Sequence, residues 1–236
     1  MNISTMKRMA VAVVAVGLVA CCGEEPNQQS DVHRMGLKGN VKTLQISGDK
    51  TNITYFFDPQ GNKVEEQNQE VRTIYTYLPD ENTTQAVSYL KDNQLLKTLF
   101  KLDTDRNVIQ ETTYLGEDLV AKVLLKYDHK GNNIQREEYD MNGALFSKTL
   151  RTFNTNNYLT QEDIYMGKAS GYLWRWTYTY NNKGLVAQQQ LYDAQGKLSE
   201  TRSYTYTYDQ KGNVLTEKET INGQPATETT QIIEYY

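Results

Sequence analysis

Residues 127–132 read YDHKGN, and the same order of residues returns as YDQKGN at 208–213 and as FDPQGN at 57–62. The Asp carboxylate can accept a hydrogen bond from the backbone N–H two residues further on. The Gly three residues after it supplies the positive φ of a type I turn that closes with a bulge. A turn of this kind connects two antiparallel strands, so the motif predicts a β-hairpin at each of the three places.

The motif recurs along almost the whole chain. Looser copies begin at Tyr77, Leu102, Phe153 and Tyr180, so that successive copies lie 20, 25, 25, 26, 27 and 28 residues apart. We call these the strong turns. A second, weak turn follows them after 12 residues five times and after 13 once, led by Tyr89, Tyr114, Tyr139, Tyr165, Tyr192 and Ile221. Two turns in each period mean one β-hairpin per repeat.

Two of the strong turns lack the Gly. Asn157 replaces it in one copy, and Asn is the residue that most often takes a positive φ in place of Gly. Arg106 replaces it in another copy. Because Arg rarely adopts this conformation, we expect the second of these turns to be distorted.

The segments between turns alternate apolar and polar residues, as half-buried strands do; Ile53, Tyr55 and Phe57, for example, share one face. A single hairpin is only marginally stable in water, so each repeat must pack against its neighbours. The sequence therefore predicts an all-β fold of tandem β-hairpin repeats, forming a long twisted antiparallel meander that is curled or partly closed. Closure into a complete barrel stays open as an alternative.

The N-terminal segment contains sequence signals for export. Lys7 and Arg8 precede an apolar run, residues 9–20, which is too short to span a bilayer and indicates a signal peptide. Residues 18–21, LVAC, resemble the lipobox of bacterial lipoproteins. The resemblance implies cleavage before Cys21 and lipidation of its thiol, which makes the membrane a partner of the protein through the lipid.

These signals and the repeats predict three segments: a lipoprotein signal peptide at 1–20, a lipidated polar tether at 21–35 and a β-hairpin repeat domain at 36–236. After the cysteine, residues 23–25, GEE, resemble the acidic export signal of Bacteroidota lipoproteins. This resemblance implies an outer membrane lipoprotein, either periplasmic or surface-exposed, and it favours the surface.

The turn motif itself resembles the YD (tyrosine-aspartate) repeats that also occur in Rhs-type proteins. The motif YDxxGN stands at Tyr127 and Tyr208, and with Phe in place of Tyr at Phe57, and the resemblance covers the chain from about residue 40. Large members of that family wind their hairpins into a spiral β-shell. Small lipoproteins built from such repeats are familiar among the Bacteroidota.

Composition and charge exclude several functions. The net charge of −4 becomes −6 without residues 1–20, which hold two basic residues and no acid, so we expect no nucleic-acid partner. The two histidines, His33 and His129, lie in the tether and in a turn, where neither has a nucleophile beside it. We therefore predict no enzyme activity, no catalytic residue and no cofactor.

Two groups of acidic residues resemble parts of functional sites, one a calcium loop and the other a glycosidase pair. Asp103, Asp105 and Asn107 imitate half of a calcium loop, but Arg106 stands where that loop requires Gly, so we expect a plain turn and no metal site. A glycosidase needs two carboxyls at a set separation across a cleft. The carboxylates that we considered for such a pair, on a face that is more typical of solvated strands, are Glu137, Glu138, Glu162 and Asp163.

An aromatic stripe is the main candidate for a ligand-binding site. It consists of Trp174, Trp176, Tyr178 and Tyr180 on one predicted strand and Tyr204, Tyr206 and Tyr208 about one repeat later. Such rings can stack on sugars, or they can be cross-strand pairs that hold a sheet together. Partial exposure of the two Trp side chains in one concavity would favour binding, and full burial would favour the structural role.

Three functions remain from the sequence. The first is an envelope lipoprotein that acts as a binding module, for a glycan or a protein, through its aromatic surface. The second is a structural or scaffold protein that assembles through its last strand, residues 229–236, by pairing with another chain. A hydrolase ranks last.

Overall fold

The computed structural model describes residues 30–49 and 51–236. The predicted signal peptide, Cys21 and most of the predicted tether lie outside the described residues. Within the described residues, no helix is long and apolar enough to cross a bilayer.

The fold is a closed barrel of sixteen antiparallel strands that follow one another around its wall in chain order. A four-residue helix, α1 (Asp31–Arg34), precedes the strands, and a 3-10 turn, Pro79–Glu81, lies between the fourth and fifth. The strands are β1 (Val41–Gly48), β2 (Thr51–Phe57), β3 (Lys63–Asn68), β4 (Val71–Leu78), β5 (Thr83–Leu90), β6 (Asn93–Leu102), β7 (Val108–Leu115), β8 (Asp118–Tyr127), β9 (Asn133–Tyr139), β10 (Leu145–Phe153), β11 (Leu159–Met166), β12 (Trp174–Tyr180), β13 (Val186–Asp193), β14 (Leu198–Tyr208), β15 (Val214–Ile221) and β16 (Gln224–Tyr235).

The barrel closes where β1 pairs with β16. Leu44 lies opposite Ile233, and Ile46 lies opposite Gln231. The prediction of a hairpin meander is confirmed, but a curled or partly closed sheet is replaced by full closure. Closure also uses both edges of β16, which pairs with β15 on its other side. The proposed assembly through residues 229–236 is therefore wrong, because that strand has no free edge.

The strong turns have the predicted chemistry. In the turn that begins at Asp128, its Oδ1 accepts hydrogen bonds from the backbone N–H groups of Lys130 and Asn132, both at 2.9 Å. Gly131 has a φ of 79° and donates its N–H to the Asp128 carbonyl at 3.1 Å. The expected distortion at Arg106 is wrong: this residue adopts a φ of 62° and donates to the Asp103 carbonyl at 3.1 Å, as Gly does elsewhere.

Consecutive hairpins place all strong turns at one end of the barrel and all weak turns at the other. The chain enters at the strong-turn end through residues 30–40, which we call the plug. Its contacts reach turns that are separated by half of the barrel's circumference. They are the bonds from Val32 N–H to the Gly61 carbonyl (3.0 Å), from Arg34 Nη2 to the Arg106 carbonyl (2.9 Å) and from Lys38 N–H to Asn213 Oδ1 (2.7 Å).

The most deeply buried apolar residues connect the plug with the wall. Val32 and Leu37 of the plug pack with Val41, Leu44 and Phe57, which are at most 2 % exposed. This contact identifies the inward face of β1 and β2. Within the last part of the predicted tether, Asp31–Arg34 form α1, and Val32 packs against the barrel end.

The barrel also contains one turn whose residues do not suit it. Lys91 and Asp92 form the two-residue loop between β5 and β6 with φ values of 47° and 66°. The equivalent loop between β15 and β16 uses Asn222 and Gly223, the residue types that this turn favours.

Replacing Lys91→Asn together with Asp92→Gly should stabilise the barrel by about 1 kcal/mol, because Asn and Gly adopt positive φ with less strain. Chemical denaturation followed by circular dichroism measures the change. Gly223→Asp is the matched control and should destabilise by a similar amount. A double variant less stable than the parent would contradict this reading of the turn.

Candidate lumenal ligand site

The inner wall of the barrel carries the whole aromatic stripe. Residues that lie directly opposite each other on paired strands point to the same side of the sheet. Following these pairs around the wall places Ile164, Trp174, Tyr206 and Glu217 on the same side as Leu44 and Phe57, which face inward. All seven predicted side chains therefore face the lumen, on β12 and β14. These two strands lie about 10 Å apart, with β13 between them.

The lumen contains solvent-accessible side chains rather than a solid core. Sixteen strands enclose more space than side chains fill. Extensive strand contacts are confined to neighbours around the wall. Inward charged residues such as Arg136, Arg151 and Arg202 keep 22 % to 34 % of their side chains exposed. Water therefore reaches the middle of the barrel.

The half of the stripe at the strong-turn end has a structural task. The hydroxyl of Tyr180 donates to the Leu159 carbonyl at 2.8 Å, and that of Tyr206 donates to the Val186 carbonyl at 2.7 Å. Tyr127 makes the same bond to the Val108 carbonyl at 2.9 Å. The three acceptor residues follow strong turns, where a bulge interrupts strand pairing. The tyrosine hydroxyl provides a donor at each of these interruptions.

Two further contacts belong to the same structural half. Tyr180 stacks on Tyr158 with ring centroids 4.6 Å apart. Lys183 places its Nζ 3.4 Å from the ring centroid of Tyr208, a cation–π contact. These three rings of the stripe, Tyr180, Tyr206 and Tyr208, are therefore occupied by contacts within the barrel.

The half of the stripe at the weak-turn end is less occupied. Trp174 is 39 % exposed at the mouth, and Trp176, one inward position deeper, is half-buried. The guanidinium of Arg202 lies 5.1 Å from the Trp176 ring. Tyr178 follows at the next inward position. We call Trp174, Trp176 and Tyr178 the lumen ladder.

The tyrosine hydroxyls of Tyr178, in the ladder, and Tyr204, on β14 near it, both have a raised pKa. Burial, followed by the charge of Glu162, raises the pKa of Tyr178 well above its ordinary value. Burial, followed by the charge of Glu219, does the same to the pKa of Tyr204. The Tyr204 hydroxyl is hydrogen-bonded to Gln189 Oε1 at 3.0 Å and Glu219 Oε1 at 3.1 Å, whereas no such partner is found for Tyr178 among the described residues. Tyr178 can therefore offer its hydroxyl to a ligand.

A belt of ion pairs lines the part of the lumen wall from β7 to β15, on both sides of the ladder. Arg136 Nη1 lies 3.2 Å from Glu111 and its Nε 3.0 Å from Glu138. Arg151 pairs with Glu162 at 2.6 Å. On the other side of the ladder, Arg202 pairs with Glu200 and Glu219. These contacts fix the polar side chains against which a ligand would lie.

The lumen is acidic. The register places seven glutamates and four basic side chains inward: Glu66, Glu111, Glu138, Glu162, Glu200, Glu217 and Glu219 against Lys63, Arg136, Arg151 and Arg202. Burial, with the charge of Glu219 as the next cause, raises the pKa of Glu217. This charge balance disfavours anionic ligands.

The charged belt was not predicted as part of the site. The sequence does place Arg202 on the same face of β14 as Tyr204, because Arg202 lies two residues before it. The sequence did not show whether that face was inward, because polar residues occupy both faces of most strands.

The carboxylates considered for a glycosidase pair do not come together as one. Glu138 and Glu162 face the lumen, but each is paired with an arginine. Glu137 and Asp163 face outward, where they pair with Lys148 at 3.6 Å and Arg175 at 2.6 Å. The geometry gives no support to a hydrolase.

The other candidates from the sequence are ordinary surface features. His33 and His129 are both exposed. The Asp103 side chain accepts hydrogen bonds from the backbone N–H groups of Asp105 and Asn107 at 2.9 and 2.8 Å, as Asp128 does in its own turn. Across residues 30–49 and 51–236, no group of three or more His, Cys, Asp or Glu side chains is arranged to hold a metal ion.

The outer wall is polar over most of its area, although Leu99, Leu124 and Leu150 also point outward. Lys97, Lys122, Lys148 and Lys218 point outward from the middle of their strands. Lys148 and Lys218 form ion pairs across this wall, the latter with Glu228 at 3.2 Å. A barrel that spans a membrane presents an apolar band about 25 Å tall to lipid, and one Lys at its midplane costs about 2–4 kcal/mol. The outer wall differs from such a band.

Comparison with known proteins gives a fold and no family. A porin-like protein from Bacteroides uniformis superposes with a TM-score of 0.62 at 13% identity, covering 89% of this chain and 100% of that one. A porin-like protein from Bacteroides vulgatus gives a TM-score of 0.55 at 12% identity, covering 84% and 99%. No family model matches the sequence, and no curated protein matches it. The barrel architecture is thus shared with porin-like proteins.

The two halves of the stripe should respond differently to loss of a hydroxyl. Tyr206→Phe leaves the Val186 carbonyl without its donor and should lower the free energy of unfolding by about 1 kcal/mol. Tyr178→Phe should change it by less than about 0.5 kcal/mol. Urea denaturation of the two variants measures the difference, and equal losses would contradict the division.

Proposed function

We propose that this protein is an outer membrane lipoprotein, anchored through Cys21, whose water-surrounded barrel binds a saccharide in its lumen. The observation that carries the binding role is the lumen ladder: exposed Trp174 and half-buried Trp176 share the inward face of β12 near the weak-turn end of the barrel. This is the exposure pattern that favours binding over a purely structural role. We also propose that the hairpin repeats are related to YD repeats, which the strong turns resemble.

Several features of the ladder suit a sugar. Flat aromatic rings pack against the apolar faces of a pyranose, and neighbouring polar side chains bond its hydroxyls. Arg202, Gln189 and the Tyr178 hydroxyl lie beside the rings. The acidic balance of the inner wall favours a neutral saccharide over one that carries carboxylates or sulfates. A lumenal site also favours a slender chain over a folded protein as the ligand.

The envelope location is supported by two kinds of evidence. The lipobox at residues 18–21 and the acidic residues after it indicate lipoprotein export, and the two porin-like structures share the barrel. The polar outer wall favours a barrel that stands in water while lipid on Cys21 holds it at the membrane. The chain enters at the strong-turn end, so the mouth beside Trp174 lies at the end opposite the tether.

Cys21→Ala should move the protein from the membrane fraction to the soluble fraction, because the acyl chains supply the membrane affinity. Fractionation followed by immunoblotting measures the shift, and mass spectrometry of the parent should find the lipid on residue 21. Unchanged membrane retention of the variant would contradict the anchor.

At least one of three neutral hexasaccharides should bind the chain from residue 22 onward and alter its Trp fluorescence. The three are maltohexaose, cellohexaose and chitohexaose. Trp176→Ala should weaken that binding by about tenfold, since a stacked ring contributes on the order of 1.4 kcal/mol. Hexagalacturonate should bind more weakly than its neutral counterparts.

Ile232→Ala, on the outer wall, is the matched control and should leave binding unchanged. A neutral saccharide that binds Trp174→Ala/Trp176→Ala as well as the parent would contradict the ladder. Failure of all three neutral probes to bind the parent would count against the saccharide assignment.

A further inference from the structure

The two ends of the barrel differ in how their turns are connected. At the strong-turn end, side chains join neighbouring turns. Asn82 Nδ2 donates to the Leu102 carbonyl at 2.8 Å, and the ring of Tyr158 stacks on that of Tyr180 in the next hairpin. The plug joins three more of these turns through its hydrogen bonds. The strong turns are thus held together around the opening, and the plug lies across it.

Burial shows the same difference between the ends. Phe57, Leu102 and Leu159 lie beside strong turns, on β2, β6 and β11, and are 2%, 7% and 2% exposed. Leu159 lies on the part of the ring that the hydrogen bonds of the plug do not reach, yet it is as buried as Phe57. Water is therefore excluded from the strong-turn end both beside the plug and opposite to it.

The inward side chains are larger at the strong-turn end than at the weak-turn end. On β4 and β8, Tyr75 and Tyr127 lie towards the strong turns, whereas Thr73 and Ala121 lie towards the weak turns. The small inward residues near the weak-turn end are Thr73, Ser88, Thr113, Ala121 and Ser147. Because rings occupy more of the lumen than these side chains do, the lumen widens towards the weak-turn mouth.

The lumen ladder runs from this mouth towards the strong-turn end. Trp174, Trp176 and Tyr178 are alternate residues of one strand, so they follow one another over about 13 Å. The next inward residue is Tyr180, whose ring is stacked on Tyr158 with centroids 4.6 Å apart. A chain that lies on the ladder therefore points with one end to the mouth and with the other end to this stack.

The stack and the plug close the strong-turn end from different sides. The plug extends from the turn at Asn213 to the turns at Gly61 and Arg106. The stacked rings of Tyr158 and Tyr180 lie on β11 and β12 or next to them, on the arc between the turns at Arg106 and Asn213. We call the plug and these two rings together the floor of the lumen.

We propose that the barrel is a cup with a single entrance, into which a saccharide chain passes by its free end through the weak-turn mouth until it meets the floor. This inference rests on the proposed saccharide function. It adds the part of the ligand that is recognised, which is a chain end rather than an internal segment. Each ring of the ladder stacks on one sugar unit, so about three units lie inside and the rest of a longer chain projects from the mouth.

The first test compares the two ends of β13. Ala194→Cys lies in the weak turn after this strand, beside Asp193, the partner of Trp174. Asn182→Cys lies in the strong turn before the strand, and both positions are exposed. The chain from residue 23 contains the plug, all sixteen strands and no cysteine, so each variant can be coupled to one large poly(ethylene glycol) maleimide.

Coupling at Ala194→Cys should slow association of the hexasaccharide that binds the parent by at least about tenfold, because the polymer obstructs the entrance. Coupling at Asn182→Cys should leave the rate unchanged. Stopped-flow Trp fluorescence measures both rates. The uncoupled variants are the controls and should match the parent in association rate and thermal midpoint.

The second test blocks the ends of the ligand. The same hexasaccharide is coupled to a bulky protein through its reducing end, through its non-reducing end or through both. At least one singly blocked form should bind as tightly as the free saccharide, because its other end can still enter. The doubly blocked form should not bind.

The other outcomes overturn the proposal in distinguishable ways. Equal rates for the two coupled variants would show a lumen open at both ends or a site outside it, and slowing only at Asn182→Cys would place the entrance at the strong-turn end. Binding of the doubly blocked saccharide would show that an internal segment is recognised. In each of these cases, loss of binding in Trp176→Ala would leave the saccharide function standing. If the parent binds none of the three neutral hexasaccharides, the saccharide function itself fails.

Discussion

The ladder between β1 and β16 is the contact on which the remaining structure depends. Without it, the repeats would form an open meander with two exposed edges, and pairing with other chains would compete with folding. With it, the sheet has one inner and one outer face, and every strand has two neighbours. The plug depends on the same closure, because its bonds reach Gly61, Arg106 and Asn213, which only a closed ring places around one opening.

The strong turn explains the role of three of the eighteen tyrosines in this chain. A type I turn with a bulge brings an interruption of strand pairing beside each turn. Tyr127, Tyr180 and Tyr206 each donate a hydroxyl to a carbonyl at such an interruption on the neighbouring strand. The ring packs inward while its hydroxyl satisfies the backbone, a combination that Phe cannot supply. These tyrosines and the Asp or Asn that begins each turn thus serve the same turn region from two adjacent strands.

Local features of the fold were predictable, and global ones were not. The Asp and Gly spacing gave the hairpins, and alternation gave the phase of each strand, because turn geometry and side-chain direction are local. Closure depends on two strands at opposite ends of the chain, which leave no local signal. The sequence predicts residues 30–35 of the plug as tether, because Val32 is an isolated apolar residue in a polar stretch. For the candidate site, the aromatic residues were predictable, but whether their face was a core, an outer surface or a lumen depended on closure.

The two halves of the aromatic stripe have different physical causes, and this difference locates the proposed binding site. At the strong-turn end, each ring is accounted for by a bulged carbonyl, a stacked neighbour or a lysine. The weak turns place no such tyrosine bond beside Trp174 and Trp176, which lack hydroxyls altogether. These rings remain partly exposed to water at the mouth, although an aromatic surface of that size is more stable when covered. The outer wall is convex and paired in polar contacts, so the mouth of the lumen is the concave surface where a ligand gains most by covering them.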